Sequence, residues 1–466
     1  MAIVTQPASG QPAQEPSLLH PGLLACIATA ALAGLLFGFD TAVISGTTES
    51  LRAQYGLSDV WLGVTVSSAL WGTLVGALGA GIPGDRYGSR NTLRVLALFY
   101  VAGGLGCGLA WSWESLVFFR VIAGLAVGGS SVLAPVYIAE ISPPAKRGRL
   151  VASFQFMVIF GILAAYLSNA IIASAGLGAE DWRWKFGVSA VPALLFLLLL
   201  LRIPNSPRWL VARGRIAEAV QALTQVGIDE AAAERQTEEI GATLAVRTER
   251  SKLSWRGHRK PILLAIMVAG FNQLSGINAL LYYLNDIFAH AGGRLSPDVQ
   301  AVIIGVVNAV FTALGMALID RVGRRTLLLV GSIGMASCLI LAGLAMGQIL
   351  PGWMVLPALI GFIAFFAPST GAVIWVYISE VFPTSVRGRG SAVGASTHWG
   401  LDAVIAATFP AVAAISVSLP FYFFAAMMLV QFIVVLSYFP ETKGVSLEEM
   451  ERKLGVVRDG SRAADQ

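Results

Sequence analysis

Twelve apolar stretches, most about 20 residues long, recur along this chain, and they constrain its fold more than any single motif does. They read as spans at 21–45, 60–82, 93–111, 115–137, 152–174, 184–203, 261–289, 298–319, 326–348, 353–379, 390–413 and 417–438. About 20 apolar residues in a helix cross a bilayer, whereas strands of an outer-membrane barrel alternate in polarity over about 10. With 56% hydrophobic and 13% charged residues among 466 and a mean hydropathy of +0.72, the chain cannot keep such a surface in water. The expected fold class is an all-α membrane protein with twelve transmembrane helices in two halves.

Charge then orients the spans. Arg86, Arg90, Lys146, Arg147, Arg149, Arg321, Arg324, Arg325, Arg387 and Arg389 fall in loops on one side, while the other side carries few cations beyond Arg52, Arg183, Lys185 and Arg294. The positive-inside rule makes the basic side cytoplasmic and brings both termini there, in the cell membrane. The net charge of +5 is therefore a feature of short loops facing anionic lipid and not a nucleic-acid footprint. Cys26, Cys107 and Cys338 lie in apolar runs, an odd number that supports neither a disulfide framework nor a metal site. Met1 to Pro16 lack a basic n-region and apolar core, so no cleaved signal peptide is expected.

The expected organisation is a tail (1–20), a six-helix bundle (21–203), a polar segment (204–260), a second bundle (261–438) and a tail (439–466). The polar segment carries helix-forming stretches with mixed charge, such as Ile216 to Leu223 and Ala231 to Glu239. These suit a few cytoplasmic amphipathic helices better than an enzymatic domain.

Within the 261–289 stretch, Phe271-Asn272-Gln273-Leu274-Ser275-Gly276-Ile277-Asn278 and the following Tyr282 and Asn285 put amides and phenols at membrane depth. Uncharged amides are tolerable there when they face a wet cavity or polar ligand; they can also bridge two packed helices. At about 100° per residue, Asn278, Tyr282 and Asn285 share one side of a continuous helix and Gln273 lies well away. A break at Ser275-Gly276 would bring Gln273 and Asn278 together.

An internal repeat supplies the strongest signal. Val136-Tyr137-Ile138-Ala139-Glu140, with Pro143 and Arg147-Gly148-Arg149, returns as Val376-Tyr377-Ile378-Ser379-Glu380, with Pro383 and Arg387-Gly388-Arg389, an offset of 377 − 137 = 240. Asp85-Arg86-Tyr87-Gly88-Ser89-Arg90 returns as Asp320-Arg321-Val322-Gly323-Arg324-Arg325, offset 320 − 85 = 235, and Pro204-Asn205-Ser206-Pro207-Arg208 answers Pro440-Glu441-Thr442-Lys443. A duplicated six-helix unit follows.

Together with Gln273-Leu274-Ser275-Gly276-Ile277-Asn278 and Pro440-Glu441-Thr442-Lys443-Gly444, these motifs closely resemble the sugar porter family of the major facilitator superfamily, over nearly the whole chain. The resemblance implies the major facilitator fold and alternating access around a midplane site. It also implies a cytoplasmic gate made of Asp85, Arg86, Arg90, Glu140, Arg147, Asp320, Arg321, Arg324, Glu380 and Arg387. Departures from the family occur at Ser89 (Arg or Lys), Asn205 (Glu), Gly371-Ala372 (Gly-Pro) and Ser189 (a carboxylate in xylose/proton symporters), so the N-terminal part of the latch should be the weaker.

The same resemblance carries sugar contacts onto Phe37, Gln155, Asn272, Gln273, Asn278, Tyr282, Asn308, Gly371, Trp375, His398 and Trp399. Carboxamides suit sugar hydroxyls because they donate and accept without net charge, and indole faces cover the ring's C–H surface. His398 stands where Gln or Asn is common, and Asp402 follows it by one helical turn, a second titrating pair or a packing pair. Asp40 in the first span and Arg120 in the fourth match the positions of proton-coupled members. They read as proton-coupling groups or as a permanent ion pair.

The expected function is proton-coupled monosaccharide symport, with glucose and xylose as candidate sugars. A passive facilitator and a non-transporting sugar sensor remain as alternatives. No nucleotide loop, metal cluster or nucleophile–base pair suggests an enzyme. The expected partners are a small-molecule sugar, protons and membrane lipid, with no nucleic acid, no metal and no cofactor beyond the proton gradient, in a monomer.

Overall fold

A computed structural model describes residues 20–143, 146–246, 253–383, 385–445 and 447–455. Its secondary structure is helical, with no strand among the described residues. Eleven helical segments are long and apolar enough to cross a membrane: Pro21–Gly46, Asp59–Gly79, Trp113–Ile141, Arg147–Ser174, Gly178–Leu200, Trp255–Tyr282, Pro297–Val322, Arg324–Met346, Gly352–Val381, Arg387–Ile415 and Leu419–Tyr438. Ser89–Gly108 supplies the twelfth, in third place; it begins four residues before the expected span because Gly88, at φ 89°, starts a new helix there.

Small residues let these helices meet backbone to backbone. In the first and fifth spans, a side chain at Gly38 would collide with the Val158 carbonyl, and one at Gly161 with the Leu35 carbonyl. Gly124 and Gly128 of the fourth span lie equally close to the carbonyls of Ala69 and Thr73 in the second.

Between the halves, Pro207–Ala212, Ile216–Gln225 and Glu230–Val246 form short helices around a small core that includes Leu210, Val211, Ala219 and Ala222. They lie at the end that carries the basic loops, where the Trp209 indole and Arg213 guanidinium donate to the Asp85 carbonyl. A further helix, Leu447–Leu454, buries Met450 and Leu454 against the C-terminal half.

The halves join at the opposite end. Thr48 donates to Asp286, the Tyr166 hydroxyl donates to the Leu281 carbonyl at 3.1 Å, and Gly63 of the second span abuts the Ala407 carbonyl of the eleventh. Toward the basic end the inner faces part. Gln155 shares a helix face with Ile159, Ile162 and Tyr166, which are buried, yet it is exposed, and Trp375 is 41% exposed although its ring packs on His398. A mouth between the halves therefore opens toward the basic loops.

Candidate functional site

The seventh span is interrupted where the sequence suggested. Its helix ends at Leu274, and Gly276 turns left-handed at φ 82°, a conformation that side chains with a Cβ adopt only at a cost. The turn brings Asn278 back over Gln273, whose carbonyl oxygen accepts from the Asn278 amide at 3.3 Å. A second interruption at Tyr283 was not legible in the pattern. It corrects the expectation that Asn285 shares the face of Asn278 and Tyr282, because Asn285 instead donates to Asp298 at the start of the eighth span, 2.7 Å away.

Around this break a polar chain crosses from the seventh span to the eleventh. The Gln273 amide nitrogen lies 3.0 and 3.2 Å from the two ring nitrogens of His398, and so donates to whichever carries no proton. Asn278 and Tyr282 both donate to one oxygen of Asp402, at 2.9 and 3.0 Å. His398 and Asp402 share a helix face as expected but make no hydrogen bond to each other; Gln273 and Asn278 stand between them. Aromatic rings surround the chain: Trp375 is 5.1 Å and Trp399 4.8 Å from the His398 ring, and Phe37 of the other half is 5.5 Å from Trp399. Donors, acceptors and ring faces of this kind can bind a neutral polyhydroxylated molecule.

Three candidates lie at the margin of this group. Gln155 faces the mouth from the fifth span. Asn308 is buried in the eighth span, with Thr312 donating to it at 3.4 Å. Gly371 ends a π-turn, Ala367–Gly371, that interrupts the tenth span.

Asn272 points elsewhere. Its amide donates to the Thr370 carbonyl at 3.3 Å inside that π-turn, and Gln431 donates to the Thr370 hydroxyl. A π-turn frees backbone groups from the regular ladder, and a buried amide satisfies one of them. Asn272 thus braces a helix break instead of lining the mouth, one residue's rotation away from Gln273.

Across a narrow gap, Arg120 donates to Asp40 at 3.2 Å. Arg120 is buried, approaches the Val66 carbonyl at 3.5 Å, lies 5.5 Å from the Phe186 ring centre and leaves its Nε without a partner. A small cavity of about 10 Å³ holds Asp40 and Arg120 together with Phe37, Tyr282 and Trp399, so the ion pair and the polar chain share walls.

At the basic ends the two repeats differ. In the C-terminal half, Arg324 forks onto Glu380 with bonds of 3.2 and 2.9 Å and pairs with Asp320 at 2.9 Å. Thr442 also donates to Glu380. Partial burial raises the Glu441 carboxyl, but the backbone N–H groups of Lys443, Arg324, Arg325 and Thr442, two of them at the start of the ninth span, donate to it and together hold it below the usual range. Ser89 and Asn205 occupy the equivalent places in the N-terminal half, and no such fork forms among the described residues. Glu140 lies near Ser206 and Arg208, while Arg90 donates to the Ile203 carbonyl and the Asn91 side chain. Asp85, Arg86 and Arg321 join this region through their backbone carbonyls, which accept from Arg213 or Lys443, and Arg147 is exposed. Arg387 opens the eleventh span.

Comparison with known proteins gives one consistent answer. The family described as "Sugar (and other) transporter" matches residues 26–454. The arabinose-proton symporter of Bacillus subtilis is 36% identical, with 92% of this chain and 94% of that protein covered. The D-xylose-proton symporter of Escherichia coli is 35% identical, with 91% and 94% covered. An inward open structure of the E. coli xylose transporter superposes with a TM-score of 0.83 at 33% identity, covering 92% of this chain and 99% of that one.

Proposed function

We propose that this chain, which belongs to the sugar (and other) transporter family, is a proton-coupled monosaccharide symporter of the cell membrane. The observation that carries the reading is the shared cavity: a carboxylate paired with a buried arginine in one half lies against Tyr282 and Trp399 of the other, and Tyr282 belongs to the polar chain that includes the carboxamides of Gln273 and Asn278. Gln273, Asn278, Tyr282 and His398 would meet sugar hydroxyls, with Trp375, Trp399 and Phe37 against the ring and Gln155, Asn308 and Gly371 at the margin. With the basic loops taken as cytoplasmic, both termini and the segment 204–260 lie inside the cell, and the mouth opens inward.

Coupling follows from electrostatics. Anionic Asp40 holds Arg120 in a buried pair; a proton cancels that charge and loosens the tie between the first and fourth spans. If only the fully loaded and the empty carrier can rock between faces, sugar accumulates at the expense of the proton gradient. A membrane potential contributes about 2.3 kcal/mol per charge per 100 mV.

Proteoliposomes test this directly. An imposed inward proton gradient should drive uphill uptake of labelled D-xylose, L-arabinose or D-glucose. Asp40→Asn, which mimics the protonated acid, should keep sugar counterflow while losing accumulation. Wild-type-like accumulation by that variant would remove Asp40 from the coupling. Exchange without accumulation in the wild type would make the protein a passive facilitator.

A further inference from the structure

The C-terminal half contains a second carboxylate, Asp402, which the Asp40–Arg120 coupling does not use. It is 1% exposed, near the middle of the eleventh span. Its hydrogen bonds come from two neutral donors, the Asn278 amide and the Tyr282 hydroxyl, and among the described residues no lysine or arginine bonds to it. The ionisable groups around it are few. His398, on its own helix, is engaged with Gln273; Tyr282 faces it from the seventh span; the Asp40–Arg120 pair lies beyond Tyr282 in the other half. Lys185 and Asp181 pair with each other farther along the N-terminal half. A buried carboxylate with no cation beside it is costly as an anion, and a proton from the aqueous mouth neutralises it without any further partner.

We propose that Asp402 carries a second exchangeable proton and thereby links sugar binding to pH inside the sugar site itself. This rests on the transport reading above. As an anion, Asp402 binds the very donors, Asn278 Nδ2 and the Tyr282 hydroxyl, that a sugar hydroxyl needs. On protonation the carboxylate becomes a carboxylic acid. A hydronium ion in the mouth gives up the proton: its O–H bond breaks, the acid O–H bond forms, and a water molecule is left. The acid is a weaker acceptor than the anion, so the amide and the phenol turn to the sugar, and the acid O–H becomes one more donor. Sugar and proton therefore bind cooperatively, and by linkage each raises the affinity of the other by the same factor.

The experiment uses the full chain in nanodiscs, with D-xylose, L-arabinose and D-glucose titrated calorimetrically between pH 5.5 and 8.5 in buffers of different ionisation enthalpy. In an Asp40→Asn background, sugar affinity should fall at least fivefold from pH 6 to pH 8, with net proton uptake on binding. Adding Asp402→Asn should make affinity independent of pH and abolish the proton uptake. Tyr282→Phe removes one donor from the anion, so it should move the midpoint of the pH dependence upward, and it serves if the double variant does not fold. A pH-flat affinity in Asp40→Asn, an unchanged profile after Asp402→Asn, or an unmoved midpoint in Tyr282→Phe each overturns the inference. Absence of heat from every sugar in the wild type overturns the transport reading, and this inference with it.

Discussion

Thr48 of the N-terminal half donates to Asp286 of the C-terminal half at 2.9 Å, and the bond ties the halves together at the end remote from the basic loops. Asp286 lies on the helix Leu284–Ala291, which follows the second interruption of the seventh span.

Cutting this bond should loosen the closed end. Distances between spin labels at the exposed positions Gln54 and Arg294 should lengthen on average in Asp286→Ala. Unchanged distances would exclude this latch.

The asymmetry between the repeats predicts unequal stability effects. Glu380→Gln breaks the fork to buried Arg324, a loss on the order of 2–3 kcal/mol. Glu140→Gln has no such arginine to strand and should cost under about 1 kcal/mol. Thermal unfolding in detergent, read by intrinsic fluorescence, compares the two. Equal losses would mean that the N-terminal cluster is as tightly bound as its counterpart.

At the break in the seventh span, Gly276→Ala imposes a left-handed alanine, about 1–2 kcal/mol, and drives its methyl into the Phe424 ring. Gly270→Ala, in the same span, meets nothing closer than 3.6 Å and is the control. The first variant should lose several degrees of melting temperature and most sugar uptake, and the second neither.

Gln273→Ala and Asn278→Ala should each weaken sugar binding by about two- to tenfold, the worth of one neutral hydrogen bond. Calorimetry on the purified variants measures it. Unchanged affinity in both would return these amides to a packing role.

The sequence made much of this visible because membrane depth leaves few polar residues unexplained. Ser275-Gly276 marked the break, and the paired motifs marked the C-terminal ion cluster and its thinner N-terminal counterpart at Ser89 and Asn205. What escaped was geometry set by a second irregularity. Tyr283 carries no breaker, yet the helix restarts there and turns Asn285 to Asp298. Pro368 and Gly371 mark an irregularity at Ala367–Gly371, but composition does not say which carbonyl it frees, so nothing assigned Asn272 to that of Thr370. Thr48 and Asp286 are 238 positions apart, and only the docking of the halves pairs them.

The glycine contacts within and between the halves have unlike consequences for motion. Gly38 and Gly161, and Gly124 and Gly128, seat one helix on the carbonyls of its neighbour within one half, so a side chain there would push apart helices that belong to the same bundle. The same kind of contact at Gly63 and Ala407 lies on the parting surface itself. Gly63 has no side chain to clear, so separation at this point requires no rotamer change of that residue.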